Sequence, residues 1–387
     1  MAAVDLESIL QERRDIDYAD DILELEPVRQ RASLFVLTAR IRKIETQEAV
    51  FHWFEGEPDV RITKATAGPD AGGTTLTVED ASGIKVGDVL QLSNASGGQL
   101  VVEQVLVTAK NGNTLTIVRG YGEHPPFDWS AVGPIQVTNL GNLSKEGDSV
   151  GTPWSKQPRD VFNYTFIQRT PIELSKTADA ARQRSNPQER VRLQQRAAIE
   201  HAWGIEAKLW FGERHLDTSD GTRRMSRGLL NFIQTNVLDA QGSLDKAKMN
   251  EFAERVFQYG SARKFLFCSG PALSAINNMI DGQIRFEPGE RNYGVATAVY
   301  ETPHGTFEIV RAHHVLRGDV WGKAMVAVDI DHEGENVIAY RYLSGRDTML
   351  RLNIQNPGDD KIVDEYLTEC GLQAGQEKLH GIMLNVA

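Results

Sequence analysis

Cysteine and long apolar runs are both scarce in this chain. Only Cys268 and Cys370 occur among 387 residues, which excludes a disulfide framework and a four-cysteine zinc site, so we interpret both as free thiols in a reducing compartment. No window approaches the roughly 18 uncharged apolar residues of a membrane span, and the first residues lack the basic start and apolar core of a secretory signal. The sequence predicts no membrane segment and a chain that stays in the cytoplasm where it is made, unless it leaves as part of something larger.

A surplus of positive charge is missing as well. The 42 lysines and arginines are outnumbered by 53 aspartates and glutamates, which gives a formal net charge of −11. Because proteins grip nucleic acid by neutralising phosphates with basic side chains, this balance argues against nucleic-acid binding as the main task. An acidic chain can still enclose nucleic acid without gripping it. The length suffices for two or three domains, each with its own core.

Sequence motifs that carry catalysis are absent. No segment matches a phosphate-binding loop, a G-x-G-x-x-G turn after a strand or a G-x-S-x-G nucleophile elbow. The stretch DIDHEGENVIAY, residues 329–340, resembles a calcium loop, but Tyr340 stands where a bidentate glutamate is needed, so we predict a polar turn. The sequence therefore predicts no catalytic residue, no metal site and no cofactor.

The stretch RAHHVLRGDVWG, residues 311–322, contains a histidine pair and an RGD tripeptide. Adjacent residues of an extended segment point to opposite sides, so His313 and His314 cannot share one metal ion without a distorting turn. No cysteine or third histidine lies nearby in the sequence to complete a tetrahedral site. Gly318 and Asp319 have the ordinary chemistry of a turn. We predict a connection between two strands, with contact between subunits as its one expected role.

The first part of the chain predicts an arm followed by strands. Residues 1–46 contain short amphipathic helical turns with too little apolar surface to fold alone, and QEAVFHWFEGE, residues 47–57, predicts a strand. Residues 59–140 alternate short β-runs with turn residues, and Asn111-Gly112 between two alternating runs is a strong hairpin signal. We predict a small antiparallel β-module there, with a barrel as one form it can take, inserted into a host domain.

The longest helix is predicted over residues 187–211. Asn186 is the expected N-cap, Pro187 the first helical residue, and Gly212 marks the end. The pattern predicts a long helix that lies against a sheet with its tryptophans in the core. The expected apolar stripe consists of Val191, Ala198, Ala202, Ile205 and Leu209, with Ile199, Trp203 and Trp210 beside it. The arginines near its start are expected to be solvated or to face another subunit, namely Arg182, Arg184, Arg190, Arg192 and Arg196.

The second half of the chain predicts alternating helices and strands. Residues 231–344 contain helical patterns between apolar runs such as KFLFCSG and KAMVAVDID, which favours a compact α/β domain. The tail, residues 345–387, contains two strand-like runs with glycine-containing turns between them. We expect both runs to return to the sheet beside the long helix.

Five sequence segments, in a fixed order along the chain, resemble a known protein family. They are TLTIVRGYG, NYTFIQRTPIELSKTADAA, IEAKLWFGERH with RRMSRGLLNFIQTNV, VYETPHGTFEIVRAHHV, and YLTECGLQAGQEKLHGIM. They resemble motifs of the major capsid proteins of tailed bacteriophages, in the group whose extended loop carries an inserted β-module. The motif residues that match are Asn163, Tyr164, Thr165, Ser175, Thr177, Gly212, Arg224, Gly228, Gly305, His380 and Gly381. His304, before Gly305, and HHVLRG, in place of a Met-Pro turn, depart from the pattern and leave the shape of that loop open.

The resemblance implies an α+β fold of the tailed-phage major capsid type. It would comprise an N-terminal arm (1–46), an extended loop (47–160) with an inserted β-domain at about 59–140, a peripheral domain (161–230) built on a spine helix at about 187–211, an α/β axial domain (231–344), and return strands of the peripheral domain (345–387). The arm and the loop would need neighbouring subunits to bury their apolar groups.

The resemblance also implies a structural function. The chain would self-assemble as hexamers and pentamers into an icosahedral head that encloses double-stranded DNA without sequence-specific binding. Scaffolding, portal and decoration proteins would be its partners, with assembly in the host cytoplasm and final location in the virion. Two alternatives stay open: a subunit of a bacterial protein nanocompartment with the same fold, and a hydrolase with a carbohydrate-binding β-module. Electron microscopy separates the shells, and a polar pocket uniting His313, His314 and carboxylates would favour the enzyme.

Overall fold

The structure, a computed structural model, divides the chain into two compact units. Unit 1 comprises Met1–Trp53 and Asp160–Ala387, and unit 2 comprises Phe54–Arg159. The structure describes residues 34, 35, 38, 42–95, 100–144, 146–147, 157–180, 189–219, 221–280, 291–292, 295–312, 315–332 and 335–386. Each unit has its own apolar core.

The strands are distributed over both units. In chain order they are β1 (Lys43–Thr46), β2 (Val50–Glu55), β3 (Ile62–Ala67), β4 (Thr75–Val78), β5 (Asp88–Asn94), β6 (Val101–Asn111), β7 (Thr114–Val118), β8 (Ile135–Asn142), β9 (Arg159–Tyr164), β10 (Phe166–Ser175), β11 (His215–Asp217), β12 (Arg223–Met225), β13 (Val237–Asp239), β14 (Arg263–Cys268), β15 (Arg291–Asn292), β16 (Val295–Thr302), β17 (Gly305–Arg311), β18 (Met325–Val328), β19 (Asp331–His332), β20 (Glu335–Asn336), β21 (Ile338–Leu343), β22 (Met349–Arg351), β23 (Lys361–Ala374) and β24 (Gly381–Leu384).

The helices of the described residues lie in unit 1. They are α1 (Lys176–Ala180), α2 (Glu189–Phe211), α3 (Leu229–Phe232), α4 (Lys246–Val256), α5 (Gly270–Ile280) and α6 (Gly318–Trp321). We call α2 the spine helix. The predicted cap and first residue, Asn186 and Pro187, lie outside the described residues, as do Arg182 and Arg184, while the predicted end before Gly212 is confirmed. None of the described helices is long and apolar enough to cross a membrane.

Two sheets organise unit 1. The first has the order β1-β21-β23-β10, with β22 also paired to β23, and β10 runs antiparallel to β23 from Phe166 opposite Cys370 to Ser175 opposite Lys361. The spine helix packs against β10 and β23. The second sheet has seven strands in the order β13-β24-β18-β14-β17-β16-β15. Helices α4 and α5 supply residues to the second core of unit 1, together with β14, β17 and β18.

Unit 2 contains a closed antiparallel barrel of six strands in the order β3-β4-β7-β6-β5-β8, as one form of the predicted β-module. The predicted hairpin joins β6 to β7, but its two loop residues are Gly112 and Asn113, because Asn111 pairs with Thr114. Gly112 takes a φ of +58°, which glycine adopts without steric cost. The barrel interior is filled by apolar side chains, among them Leu90, Val105 and Trp129.

Two boundary expectations are wrong in detail. The arm was predicted as helical turns to residue 46, whereas Lys43–Thr46 forms β1, parallel to β21. The tail was expected to return wholly to the sheet beside the spine helix, but only β23 does so, since β24 pairs with β18 and β13 in the seven-stranded sheet. The reason is the turn at Glu377–Leu379, which lets the final apolar strand add to a different sheet.

Candidate functional site

Several of the motif residues meet at the end of the spine helix. We call this group the motif junction and define it as Asn163, Thr165, Gly212, Arg224, Gly228 and Glu369. They come from five segments: β9, the link to β10, the spine-helix end, the β12 region that leads into α3, and β23. The polar members Asn163, Thr165 and Glu369 are buried, so each must find its hydrogen-bond partners inside the protein.

The Asn163 amide ties three segments together. Its nitrogen donates to the Ser226 hydroxyl (3.0 Å) and to the carbonyl oxygens of Arg227 (3.1 Å) and Leu372 (2.7 Å). Its oxygen accepts from the backbone nitrogens of Tyr164 and Arg227. Both ends of the amide are therefore used, which fixes β9 against β23 and against the segment after β12.

The Glu369 carboxylate of the junction forms ion pairs with two arginines. It accepts from Arg224 Nη2 at 2.9 Å, from Arg346 Nε at 2.6 Å and from the Thr165 hydroxyl at 3.1 Å. Removing a partner from a buried ion pair costs more than the pair contributes, because one charge is left without compensation. Arg224 and Thr165 thus match the motif for a structural reason.

The two junction glycines allow backbone segments to touch. The backbone nitrogen of Gly228 donates to the Gly212 carbonyl at 2.7 Å. A Cβ at Gly228 would lie 2.7 Å from the Gly212 nitrogen and 2.7 Å from the Trp210 carbonyl oxygen, and a Cβ at Gly212 would overlap the Ser226 carbonyl. Neither neighbour is a flexible side chain, so any other residue at these positions must move the backbone.

We expect Gly228→Ala to lower the free energy of unfolding by about 1–3 kcal/mol, the usual cost of forcing extra volume into a closely packed interior. Urea unfolding of the unassembled chain measures the loss. Gly270→Ala is the matched control, since nothing lies within 4 Å of a Cβ at that position. Equal midpoints for the two variants would show that the close approach at Gly228 is not needed.

Three further motif residues lie against the two apolar cores of unit 1. A Cβ at Gly305 would lie 2.6 Å from the Phe257 ring, and a Cβ at Gly381 would lie 3.0 Å from the Phe252 ring. The third, His380, is fully buried and contacts the Phe232 ring edge-on at 6.1 Å. Glycine at both positions therefore lets α4 and its following turn pack directly on strands β17 and β24.

A buried polar cluster surrounds His380. Lys264 Nζ lies 3.3 Å from Asp329 Oδ2 and donates to three backbone carbonyls, those of Val256, Tyr259 and Leu379. The Asp329 backbone nitrogen donates to His380 Nδ1. Burial, and then the neighbouring Lys264 charge, lowers the pKa of His380 to about 4. His380 is therefore neutral at pH 7 and accepts at Nδ1.

A second buried histidine lies between the spine helix and its sheet. His201 Nδ1 is 2.9 Å from the Thr170 hydroxyl, and Nε2 is 2.7 Å from the Thr368 hydroxyl. Thr368 donates onward to Thr348, so it accepts from His201 Nε2. Burial is the main cause that lowers the pKa of His201 to about 4. The neutral ring joins the helix to β10 and β23.

We expect acid to destabilise unit 1 as the pH falls from about 6.5 toward 4. The folded-state pKa of His201 and of His380 is about 4. Between about pH 6.5 and 4 the unfolded chain therefore binds protons that the folded chain does not, and the free energy of unfolding decreases as the pH decreases. Each histidine contributes up to about 3 kcal/mol. Urea unfolding at several pH values measures the slope. His201→Gln should flatten it, whereas the exposed His304→Gln should not; equal slopes in all three chains would refute this origin.

The other motif residues lie outside both groups. Tyr164 follows Asn163 at the end of β9, where its ring contacts Phe162 edge-on at 5.7 Å. The Ser175 hydroxyl accepts from the Ala178 backbone nitrogen at 3.1 Å, as an N-cap of the short α1 does. Thr177 is exposed within α1. The structure thus brings together eight of the matched residues in two groups and leaves these three apart.

The buried face of the spine helix differs from the prediction. The residues buried on it are Ala197, His201, Ile205, Glu206, Leu209 and Trp210. Trp210 is core, as predicted, but Trp203 is 51% exposed, and Val191 and Ile199 are exposed with it, so their assignment to the core side was wrong. Two polar residues, His201 and Glu206, occupy the buried side, because specific hydrogen bonds satisfy them there.

Sequence reasoning missed the role of Glu206. This carboxylate, fully buried on the spine helix, accepts from the backbone nitrogens of Leu34 (2.9 Å) and Phe35 (2.6 Å) and from Trp210 Nε1 (2.9 Å). Residues 34, 35 and 38 are helical, so the charge lies at backbone donors of a helical segment. Glu206 therefore joins the backbone of Leu34 and Phe35 to the spine helix. A glutamate amid the apolar end of a helix was the available signal.

The stretch 311–322, with its histidine pair and RGD tripeptide, connects two strands. It joins β17 to β18 through the one-turn helix α6, and Gly318 takes a φ of +82°. His313 and His314 lie outside the described residues. Within the ranges that the structure describes, no group of three histidine, cysteine or carboxylate side chains could hold a metal ion. Asp329, from the calcium-like stretch, pairs with Lys264 instead.

Comparison of the sequence with known proteins identifies the family of this chain. The sequence profile of the SU10 major capsid protein family matches residues 4–387. The major capsid protein of Pseudomonas phage PaMx41 is 21% identical over 365 residues, which cover 91% of this chain and 84% of that protein. Both comparisons indicate a structural protein of a phage virion rather than an enzyme.

Solved structures extend the comparison to the fold. The capsid of a native GTA particle matches with a TM-score of 0.51 and 11% identity, and the match covers 100% of this chain and 99% of that chain. The SrpI encapsulin of Synechococcus elongatus PCC 7942 matches with a TM-score of 0.40 and 14% identity over 60% of this chain and 77% of that chain, too distant for any argument. The mixed α/β fold is thus a capsid fold, and the chain belongs to the SU10 major capsid protein family.

Proposed function

We propose that this capsid protein assembles as hexamers and pentamers into an icosahedral head that encloses double-stranded DNA. The arm (1–46), the extended loop (47–160), the peripheral domain (161–230 with strands returning from 345–387) and the axial domain (231–344) supply the contacts. Assembly takes place in the host cytoplasm, with separate scaffolding, portal and decoration proteins as partners. The net charge of −11 suits a wall that encloses DNA without sequence-specific binding.

The exposed side of the spine helix carries this proposal. Val191, Ile199, Trp203 and Phe211 are 43%, 36%, 51% and 36% exposed, and the first three are spaced by eight and four residues, which places them on one helix face. A tryptophan on a well-ordered helix is a common anchor of protein interfaces. In a chain that belongs to a capsid family, the occupant of this face is another copy of the chain.

We expect Trp203→Glu to abolish or reduce shell formation by at least about tenfold, since a buried anchor is typically worth 2 kcal/mol or more and a carboxylate would be desolvated at the contact. Electron microscopy and sedimentation of the expressed protein, with its neighbouring genes, measure assembly. Gln195→Glu adds the same charge at an exposed position of the same helix and should assemble normally. Normal heads from Trp203→Glu would contradict the assignment, and small cargo-loaded shells from the parent chain would favour the nanocompartment.

A further inference from the structure

The strand order gives the barrel of unit 2 two ends. The chain enters the barrel at Ile62 and leaves it at Asn142, and these two residues lie at the same end, because β3 and β8 are antiparallel. The opposite end carries the loops of residues 68–74 and 119–134, and Leu100 lies there directly before β6. We call residues 68–74 and 119–134 the barrel tip.

The longest tip loop is held in one conformation by a buried ion pair. Residues 119–134 join β7 to β8 without regular structure, a length at which loops of compact modules are usually functional or disordered. Here the loop is fixed: Glu103 accepts from Arg119 Nε and Nη2, from the Trp129 ring nitrogen, and from the backbone nitrogens of Gly120 and Phe127. The side chains of Glu103 and Arg119 are 0% and 8% exposed.

Arg119 also binds the neighbouring loop. Its Nη1 donates to the carbonyl oxygens of Asp70 and Gly73, and its Nη2 donates to that of Phe127. The Trp129 backbone nitrogen donates to the Pro69 carbonyl. A buried ion pair adds little net stability over apolar residues of the same volume, so its specific effect here is to fix the two loops relative to each other.

This ordered surface displays apolar side chains to solvent. Tyr121 is 44% exposed, Phe127 is 38% exposed and packs its other side on Trp129 at 5.3 Å, and Leu100 is 71% exposed. Rigid aromatic side chains on pre-ordered loops lose little entropy on binding and are characteristic anchors of protein–protein interfaces. Other residues fill the barrel core, so closure of the barrel does not require these three side chains.

The charge around these anchors selects the partner. The tip loops contain three acidic residues, Asp70, Glu123 and Asp128, and one arginine, which the Glu103 carboxylate neutralises. The three acidic residues are exposed. A tip-to-tip contact between two copies would oppose acidic side chains to acidic side chains, which is costly at an interface, and any other surface of a second copy belongs to a chain with a net charge of −11. A partner with a basic and apolar surface would meet complementary charge and fill the aromatic patch.

We propose that the barrel tip is the docking site for a separate protein of the particle that presents a basic, apolar segment, with Tyr121 and Phe127 as the anchors. This inference rests on the proposed function as a shell protein. It assigns the binding site of an accessory protein of the shell to the barrel tip. Binding is expected to weaken as salt rises, because exposed charges around the anchors contribute to it.

Photo-crosslinking in purified phage particles tests the site. The probe is benzoylphenylalanine in place of Phe127 in the full-length chain; the matched control places it at Val86, which is 58% exposed at the opposite end of the barrel. We expect irradiation to join position 127, and not position 86, to a different polypeptide of the particle, through a peptide rich in lysine or arginine and apolar residues. Combining the probe with Glu123→Lys and Asp128→Lys should reduce that product at least about fivefold.

Three outcomes would overturn the docking site. They are a crosslink between two copies of this chain, a yield at position 127 no higher than at position 86, and a product that the two charge reversals leave unchanged. Particle formation is scored first by electron microscopy, so that a failure of the shell itself is distinguished from a failure of the docking site.

Discussion

Lys264→Met is expected to lower the free energy of unfolding by about 3–5 kcal/mol, the cost of breaking a buried ion pair from one side. The Lys264 and Asp329 side chains are 0% and 1% exposed, so the remaining carboxylate would have the Ser261 backbone nitrogen and hydroxyl as donors but no compensating ammonium. The carbonyls that Lys264 binds would also lose their donor. Because domains are stable by only about 5–15 kcal/mol, we expect most of the variant chain to be insoluble.

Two companion variants make the Lys264 prediction specific. Lys323→Met removes an exposed lysine and should unfold at the urea concentration of the parent chain. Lys264→Met combined with Asp329→Asn removes both charges and leaves an amide oxygen that can accept from the Ser261 backbone nitrogen, so it should recover part of the loss. Soluble yield and urea midpoints measure all three. Two results would show that the Lys264–Asp329 pair does not stabilise the seven-stranded sheet. One is a Lys264→Met variant as stable as Lys323→Met, and the other is a double variant no more stable than Lys264→Met alone.

Two glycines and one asparagine of the family resemblance meet at one place in the structure. Gly212, Gly228 and Asn163 matched the family in an order that placed them on separate segments, and the structure joins those segments at one junction. Such residues are informative because a close backbone approach or a buried amide tolerates few alternatives. The β-module could be predicted for a related reason, since turn residues between short alternating runs leave few other arrangements.

Periodicity failed where burial is polar. The spine helix buries Ile205 and Leu209 of the predicted apolar stripe, but it also buries His201 and Glu206 and exposes Val191, Ile199 and Trp203. Apolar spacing alone therefore predicted only part of the buried side. Hydrogen-bond partners decide which polar residues can be buried, and those partners lie on strands more than 150 positions away in the case of Thr368. A single sequence does not show such pairs.

Glu206→Ala is expected to release Leu34 and Phe35 from the spine helix. The carboxylate is the acceptor for the Leu34 and Phe35 backbone nitrogens, and hydrogen bonds to a charged group contribute about 1.5–3 kcal/mol each. Losing both would let Leu34, which is fully buried, leave its site. We expect limited proteolysis to cleave next to Leu34 and Phe35 at least about tenfold faster than in the parent chain.

The design of the Glu206 experiment separates the charge from the side chain. Glu206→Gln keeps one acceptor oxygen but turns an N–H₂ group toward a backbone donor, so its cleavage rate should approach that of the alanine variant. Glu200→Ala removes an exposed glutamate one and a half turns earlier on the same helix and should leave the rate unchanged. If Glu206→Ala and Glu200→Ala are cut equally, Leu34 and Phe35 are held by the pairing of β1 with β21 and by the burial of Leu34 rather than by the carboxylate. That result would assign the main contact of this segment to the edge of the first sheet rather than to the spine helix.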